Sequence, residues 1–137
     1  DNIALLLNHL SENYFTNIKP QKNIKSLAEN IFLESVKRIA ESIGRIIISG
    51  FVHGVLNTDN FNVTGEVFDY GPWRFVEFAN RTFTAAYFDE YGRYSFGRQP
   101  EAALWALTQL GKSLDEFIII SVGPSWMKLK FLFEINS

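Results

Sequence analysis

One long amphipathic segment, residues 26–50, constrains the fold of this chain more than any other feature of its sequence. Ser26 and Glu29 have the spacing of a capping box, which predicts that a helix begins at Ser26, and Gly50 predicts its end. Apolar residues recur between these positions at helical spacing, namely Leu27, Ile31, Phe32, Val36, Ile39, Ala40, Ile43 and Ile47. Because so broad an apolar stripe has to be buried, we expect this helix to pack into the core and to lead into a loop at Phe51.

Two shorter helices are predicted on either side of this segment. The first runs from Ile3 to about Phe15 and is followed by a polar loop at residues 16–23, and the second runs from Pro100 to a stop at Gly111. Their apolar positions also have helical spacing: Leu6, Leu7, Leu10 and Tyr14 in the first, and Ala103, Leu104, Leu107 and Leu110 in the second. Helices therefore make up most of the predicted structure.

The predicted β structure is short. Residues 61–63 and 66–68 have the composition of two strands joined around Gly65. Such a hairpin has to rest on helices, since two-stranded ribbons are marginally stable alone. The apolar runs 117–122 and 126–135 are each compatible with a strand or a buried helix. The predicted fold class is therefore α+β, mainly α-helical.

Residues 72–99 are irregular and rich in aromatic side chains. These side chains can belong to the core or to a substrate surface, and both alternatives stay open. We expect core packing rather than a stacking surface for bases, because the chain has no basic background. Arg93 in this segment can pair with a phosphate or with Asp89. A local ion pair is the expected outcome, since charged side chains in irregular segments are usually solvated or locally paired.

The segment that follows the long helix has the spacing of a catalytic loop. Protein kinases place a His and an Asn seven residues apart, where the Asn binds Mg²⁺, and a later Asp-Phe-Gly motif holds the metal against the phosphates. Here His53 and Asn60 are also seven residues apart, and Asp69 opens an Asp-Tyr-Gly motif after two apolar residues. At the third loop position a kinase has its catalytic Asp, whereas this chain has Val55.

These residue types suit phosphate chemistry with a metal. Mg²⁺ takes oxygen ligands, usually one or two from the protein and the rest from phosphates and water, so Asn60 and Asp69 are candidate Mg²⁺ ligands. Asp59 is the only carboxylate in loop 53–60 and is the candidate proton acceptor for an attacking hydroxyl. Asp-Asn and Asp-Tyr-Gly-Pro are also ordinary turn sequences, and each motif taken singly is more often a turn.

Several runs of residues carry a family resemblance in addition to the spacing. They are Gly50–Asn60, Phe68–Trp73, Gly92–Phe96, Gln99–Pro100 and Ala103–Trp105. In these runs the chain resembles the selenoprotein O family of protein adenylyltransferases, closely from about Ser26 to Leu110. After Leu114 no resemblance is evident.

The resemblance implies the C-terminal-lobe portion of a protein-kinase-like fold, with a short β-hairpin beside the catalytic loop. It implies an enzyme that passes AMP from ATP to Ser, Thr or Tyr hydroxyls of protein substrates, with Mg²⁺ or Mn²⁺ as cofactor. Asp59 matches the family's proton acceptor. Asn60 and Asp69 match its metal ligands, and Asp69 also matches a nucleotide contact. Val55 agrees with the family, which itself lacks the kinase Asp at this position.

The length of the chain limits how much of such an enzyme it can contain. Its 137 residues are too few for two kinase lobes, and no G-x-G-x-x-G motif or strand Lys precedes loop 53–60. We expect residues 1–137 to be a single partial domain without the N-terminal nucleotide-binding lobe. Two alternatives stay open: a catalytically inert pseudokinase-like fragment or binding module, and a protein kinase.

Charge and composition exclude several other classes of function. A net charge of −2 and a pI near 5.7 give no electrostatic footprint for nucleic acid. The chain has no cysteine and two histidines, too few for a zinc site. No apolar run reaches the ~18 residues of a membrane span, and no basic segment opens the chain. We expect no membrane partner, and a location in the cytoplasm of a bacterium or in a mitochondrion of a eukaryote.

Overall fold

The structure is a computed structural model that describes residues 2–118. Within that range the elements follow in the order α1 (Asn2–Asn13), α2 (Ile24–Ser49), β1 (Phe51–Val52), β2 (Arg74–Phe75) and α3 (Gln99–Ser113). Short 3₁₀ turns lie at Thr58–Asn60 and Phe96–Arg98. The predicted class, α+β and mainly α-helical, is confirmed. The predictions for residues 119–122 and 126–135 lie outside the described residues.

Helix α2 begins two residues before the predicted start. Asn23 is its N-cap: the backbone there is extended, and Asn23 Oδ1 accepts a hydrogen bond from the Ser26 amide at 2.9 Å. The predicted start at a Ser26 capping box is therefore wrong, because Ser26 already lies inside the first turn. The predicted end is confirmed. Gly50 adopts φ 72°, and its amide donates to the carbonyls of Ile46 and Ile47.

The N-cap gives a simple test of this assignment. Asn23→Ala removes the acceptor for an otherwise free helix amide and is expected to lower the free energy of unfolding by about 1 kcal/mol. Ser26→Ala is the matched control: Ser26 contributes its backbone amide to the cap, so we expect a change within about 0.5 kcal/mol. Urea unfolding of both variants measures the difference. A larger loss for Ser26→Ala would support the capping box instead.

The main hydrophobic core lies where α2 packs against α1 and α3. Most of the predicted stripe is buried, while Ala40 and Ile47 are only partly buried. The buried residues of this core are Leu7, Phe15, Leu27, Ala28, Ile31, Phe32, Val36, Ile39, Ile43, Leu56, Val67, Ala103, Leu107, Leu114 and Phe117. The long helix is thus the element against which the other two helices pack, and Leu56 of loop 53–60 and Val67 of the following turn belong to the same core.

Helix α3 does not stop at Gly111 but continues to Ser113. A Cβ built on Gly111 would lie 3.3 Å from the Phe32 ring. The glycine therefore allows close contact between α3 and α2, and it does not terminate the helix. Glycine has this second use wherever two backbones approach closely, so a glycine alone predicts a helix end poorly.

The two-stranded sheet is not the hairpin that the sequence predicted. Strands β1 and β2 pair antiparallel, with Phe51 opposite Phe75 and Val52 opposite Arg74. The predicted hairpin at residues 61–68 is reduced to one antiparallel bridge between Phe61 and Val67. A β1–β2 ribbon leaves no local signal, because each strand has two residues and its partner lies far along the chain.

The aromatic segment after β2 is more exposed than its composition suggests. Phe96 is buried with Val52 and Ala85, but Tyr87 and Tyr91 are 95% and 92% exposed. Of the two alternatives left open by the sequence, core packing therefore holds for only part of this segment, and much of it lies at the surface. Many apolar atoms of a folded protein remain at its surface, so aromatic content alone does not establish burial.

The expected Arg93–Asp89 ion pair is also absent from the part of the chain that the structure describes. The Asp89 carboxylate accepts hydrogen bonds from the amides of Arg93 and Tyr94, both at 2.8 Å, and closes the turn there. The Arg93 guanidinium lies over the Tyr94 ring, 5.6 Å from its centroid.

Among the helices between residues 2 and 118, none combines the length and the hydropathy needed to cross a bilayer.

Candidate functional site

Asn60 and Asp69 lie on two loops that are joined by hydrogen bonds between their backbones. The Phe68 amide donates to the Asn60 carbonyl at 3.1 Å, directly beside the Phe61–Val67 bridge. Asp69 therefore follows the residue that is hydrogen-bonded to Asn60. The predicted proximity of these two side chains thus has a structural basis in paired backbone, although the pairing is shorter than a hairpin.

The turn between the two loops rests on α2. The Ser42 hydroxyl donates to the Gly65 carbonyl at 2.6 Å. Gly65 has φ 101°, and a Cβ at this position would lie 2.5 Å from Arg38 Cβ and 3.0 Å from the Arg38 carbonyl carbon. No other residue type combines this positive φ with this close approach, so the glycine lets the turn lie flat on the helix.

The Asn60 side chain is oriented by its own loop. Asn60 is 7% exposed, and its Nδ2 donates to the Val55 carbonyl at 2.6 Å. Because the amide nitrogen is occupied in this way, Oδ1 is the atom left to bind a cation. The position where a kinase has its catalytic Asp therefore contributes a backbone carbonyl that orients Asn60.

Asp69 has an unusual backbone conformation. With φ 56° it is the only residue other than glycine at positive φ between residues 2 and 118. This conformation costs an L-residue roughly 1 kcal/mol or more, and such conformations concentrate at functional sites. The neighbouring Tyr70 hydroxyl donates to the Val67 carbonyl at 2.6 Å and closes the turn around Asp69. The Asp69 side chain itself is exposed.

Asp59 lies in the 3₁₀ turn immediately before Asn60. Its side chain is exposed, unlike that of Asn60, and it accepts no hydrogen bond within the described part of the chain. A carboxylate that is both accessible and next to a candidate metal ligand is suitably placed to accept a proton from an incoming hydroxyl.

His53 joins the two loops from inside the protein. It is fully buried, with Nε2 2.7 Å from the Phe68 carbonyl and Nδ1 3.3 Å from the Val55 amide. A neutral ring with its proton on Nε2 satisfies both contacts, donating to Phe68 and accepting from Val55. His53 is therefore a positioning residue that fixes the backbone on either side of Asn60 and before Asp69.

Gln99 has a comparable role that the sequence pattern did not reveal. Its fully buried side chain accepts from the His53 amide at 3.1 Å and donates to the carbonyls of Phe51 and Phe96, at 2.9 and 3.2 Å. Gln99 thus ties the first residue of α3 to the start of loop 53–60. The only sequence signal was its place in one of the runs that carry the family resemblance.

The donor set is compatible with a magnesium ion that also binds phosphates. No group of three or more His, Asp or Glu residues that could hold a metal occurs among residues 2–118. Asn60 and Asp69 offer one amide and one carboxylate oxygen, and Mg²⁺ commonly takes one or two protein ligands and completes its shell with phosphates and water. The residues present therefore fit a metal that arrives with a nucleotide.

Comparison with known proteins gives the family of this chain. The family model for protein adenylyltransferase SelO matches residues 1–131. The chain belongs to this family. The resemblance predicted from the sequence is thereby confirmed, and the expected limit at Leu114 is wrong, because the match continues well beyond it.

Individual relatives agree with this assignment. The protein nucleotidyltransferase YdiU of Trichormus variabilis is 44% identical over 110 residues, which cover 80% of this chain and 22% of the relative. The YdiU protein of Synechocystis is 42% identical over 118 residues, covering 86% of this chain and 25% of the relative. The chain thus spans about a quarter of the length of these curated relatives.

Proposed function

We propose that the full-length protein to which this chain corresponds transfers AMP from ATP to Ser, Thr or Tyr hydroxyls of protein substrates. The main observation behind this proposal is that a backbone hydrogen bond between Phe68 and Asn60 joins the two loops. This bond brings together Asn60, whose amide nitrogen is already occupied, and Asp69, whose backbone is left-handed. The names of the family and of its relatives, protein adenylyltransferase and protein nucleotidyltransferase, support the same activity.

Each of the three polar residues has a distinct role in this proposal. Asn60 Oδ1 and the Asp69 carboxylate hold Mg²⁺ or Mn²⁺, and Asp69 also contacts the nucleotide. The bound cation supplies neutralisation of charge on the phosphates. The Asp59 carboxylate accepts the proton of the attacking hydroxyl.

In the proposed transfer one bond forms, one bond breaks and one proton moves to Asp59. The substrate hydroxyl oxygen forms a bond to the α-phosphorus of ATP. The bond from that phosphorus to the oxygen that bridges to the β-phosphate breaks, so pyrophosphate leaves and AMP stays on the protein. Asp59 holds the proton that the hydroxyl has lost. His53 and Gln99 take no part in bond making, and they hold the loop that carries Asp59 and Asn60 in position.

The remainder of the full-length protein supplies what this chain does not contain. We propose that the chain is part of the C-terminal lobe of a kinase-like fold, and that an N-terminal lobe covers the phosphates with a glycine-rich loop and a Lys. Isolated residues 1–137 are proposed to bind Mg-ATP weakly or not at all. The location in a bacterial cytoplasm or a mitochondrion stays a prediction.

The label that reaches the substrate tests the type of transfer. The full-length protein is incubated with a protein substrate and with ATP labelled on either the α- or the γ-phosphate. We expect the α-label to appear on the protein and the γ-label to leave with pyrophosphate, because the bond that breaks lies between the α- and β-phosphates. Stable γ-label on the protein would instead identify a protein kinase, the main alternative.

A further inference from the structure

A cavity of about 390 Å³ opens beside loop 53–60. Its walls come from three parts of the chain: residues 56–58 of the loop, residues 93–98, and one face of α3. Thr58 lines this cavity, and Asp59, the proposed proton acceptor, is the next residue of the same 3₁₀ turn. Its volume falls in the range of ligand sites and can take one or two side chains of a peptide.

Ordered contacts hold the walls of this cavity together. The Tyr94 hydroxyl donates a hydrogen bond to Asn57 Oδ1, which links the segment before α3 to loop 53–60. The Tyr94 amide is held in turn by the Asp89 carboxylate. The cavity is therefore part of the folded structure, since its shape depends on side chains that have partners.

Arg93 gives the cavity a positive charge that has no counter-ion within residues 2–118. The only acidic residue predicted to pair with it, Asp89, is engaged by two backbone amides. Arg98 and Glu101 also line the cavity, but they form a bidentate pair with both contacts at 2.9 Å. The hydrogen bond from Arg98 also lowers the pKa of Glu101 below its ordinary value, which is consistent with this pair. Arg93 is thus the charge available to an incoming carboxylate.

Trp105, on α3, supplies an apolar surface of the cavity. It points away from the buried stripe of α3 and is 52% exposed, and Leu56 and Leu104 extend the apolar lining. Lys112 Nζ lies 5.7 Å from the centroid of the Trp105 ring and adds positive charge nearby. An exposed indole in a cavity that Arg93 also lines favours a partner that is apolar at one position and acidic at another.

We propose that this cavity binds the acceptor segment of the protein substrate, with an acidic residue near the modified hydroxyl placed on Arg93 and an apolar side chain placed against Trp105. The inference rests on the proposed AMP transfer, because it takes Asp59 as the group that the acceptor hydroxyl must reach. The occupant is a protein segment rather than the nucleotide, since neither of the proposed metal ligands, Asn60 and Asp69, lines the cavity.

Two matched peptides test the inference on the full-length protein. Both carry a central Ser and an apolar residue, and they differ only by a Glu or a Lys near the Ser. Fluorescence anisotropy of labelled peptide without ATP measures binding, and kinetics with α-labelled ATP measure transfer. We expect the Glu peptide to bind at least about tenfold more tightly and to have the higher kcat/KM. Arg93→Glu should reverse this preference. Trp105→Ala should weaken the binding of both peptides and raise their KM at unchanged kcat.

Arg81→Glu is the control, because Arg81 is an exposed arginine that does not line the cavity. It should keep the wild-type preference for the Glu peptide. An unchanged preference in Arg93→Glu, a raised KM for ATP instead of peptide, or no binding of either peptide by the wild type would overturn the inference. Selective peptide binding without any transfer of AMP would support the docking site but would contradict the proposed function.

Discussion

Asp69→Asn in the full-length protein is expected to lower the rate of AMP transfer by at least about a hundredfold, the effect of losing one group that stabilises charge on the phosphates. The substitution removes the carboxylate charge but keeps the shape of the side chain. Asn tolerates the left-handed backbone that Asp69 adopts, so the turn should survive. The rate with α-labelled ATP and the thermal midpoint are both measured.

Asp115→Asn is the matched control for this experiment. Asp115 is also exposed, but it lies after α3 and belongs to neither of the two loops. We expect transfer by this variant to equal that of the wild type. Loss of transfer in Asp69→Asn together with a clearly lower thermal midpoint would indicate damage to the fold. Persistent transfer at the wild-type rate would remove Asp69 from the site.

Gln99→Leu is expected to lower stability more than Asn23→Ala. It leaves two carbonyls and one amide without their side-chain partner in a buried environment, at about 1–3 kcal/mol for each group that stays unsatisfied. We expect a loss of roughly 3 kcal/mol or more in the free energy of unfolding, because loop 53–60 also loses its attachment to α3. Urea unfolding with an unchanged m-value measures this loss.

Gln109→Leu is a control of the same chemical change on the same helix. The Gln109 amide nitrogen is buried and has no hydrogen-bond partner among the described residues. Replacing it by an apolar group should therefore be neutral or stabilising. Equal losses for the two variants would show that the Gln99 hydrogen bonds have no special part in holding the loop.

The helices could be predicted from the sequence because their signals are local. The apolar stripe of α2 and the stop at Gly50 depend on residues within one helix. The start of α2 was misplaced because two capping signals compete there, and the geometry favours Asn23 over Ser26. Gly111 was misinterpreted because its reason lies on another helix, in the ring of Phe32.

The candidate site was predictable in part for the same reason. The spacing of His53, Asn60 and Asp69 along the chain suffices to indicate two adjacent loops. Gln99 could not be found in this way, since its bond to the His53 amide joins residues 46 positions apart. The positive φ of Asp69 also leaves no sequence signal, because Asp occurs far more often in ordinary turns.

A double-mutant cycle on AMP transfer shows whether Asn60 and Asp69 hold one metal. Asn60→Ala, Asp69→Asn and the double variant are compared with the wild-type full-length protein under saturating Mg-ATP. If both side chains bind the same ion, either single substitution releases that ion. The side chain that remains then contributes little to the rate of transfer. The double variant should then be about as slow as the slower single variant. Rate losses that multiply in the double variant would show that the two residues act independently, and would contradict a metal ion shared by Asn60 and Asp69.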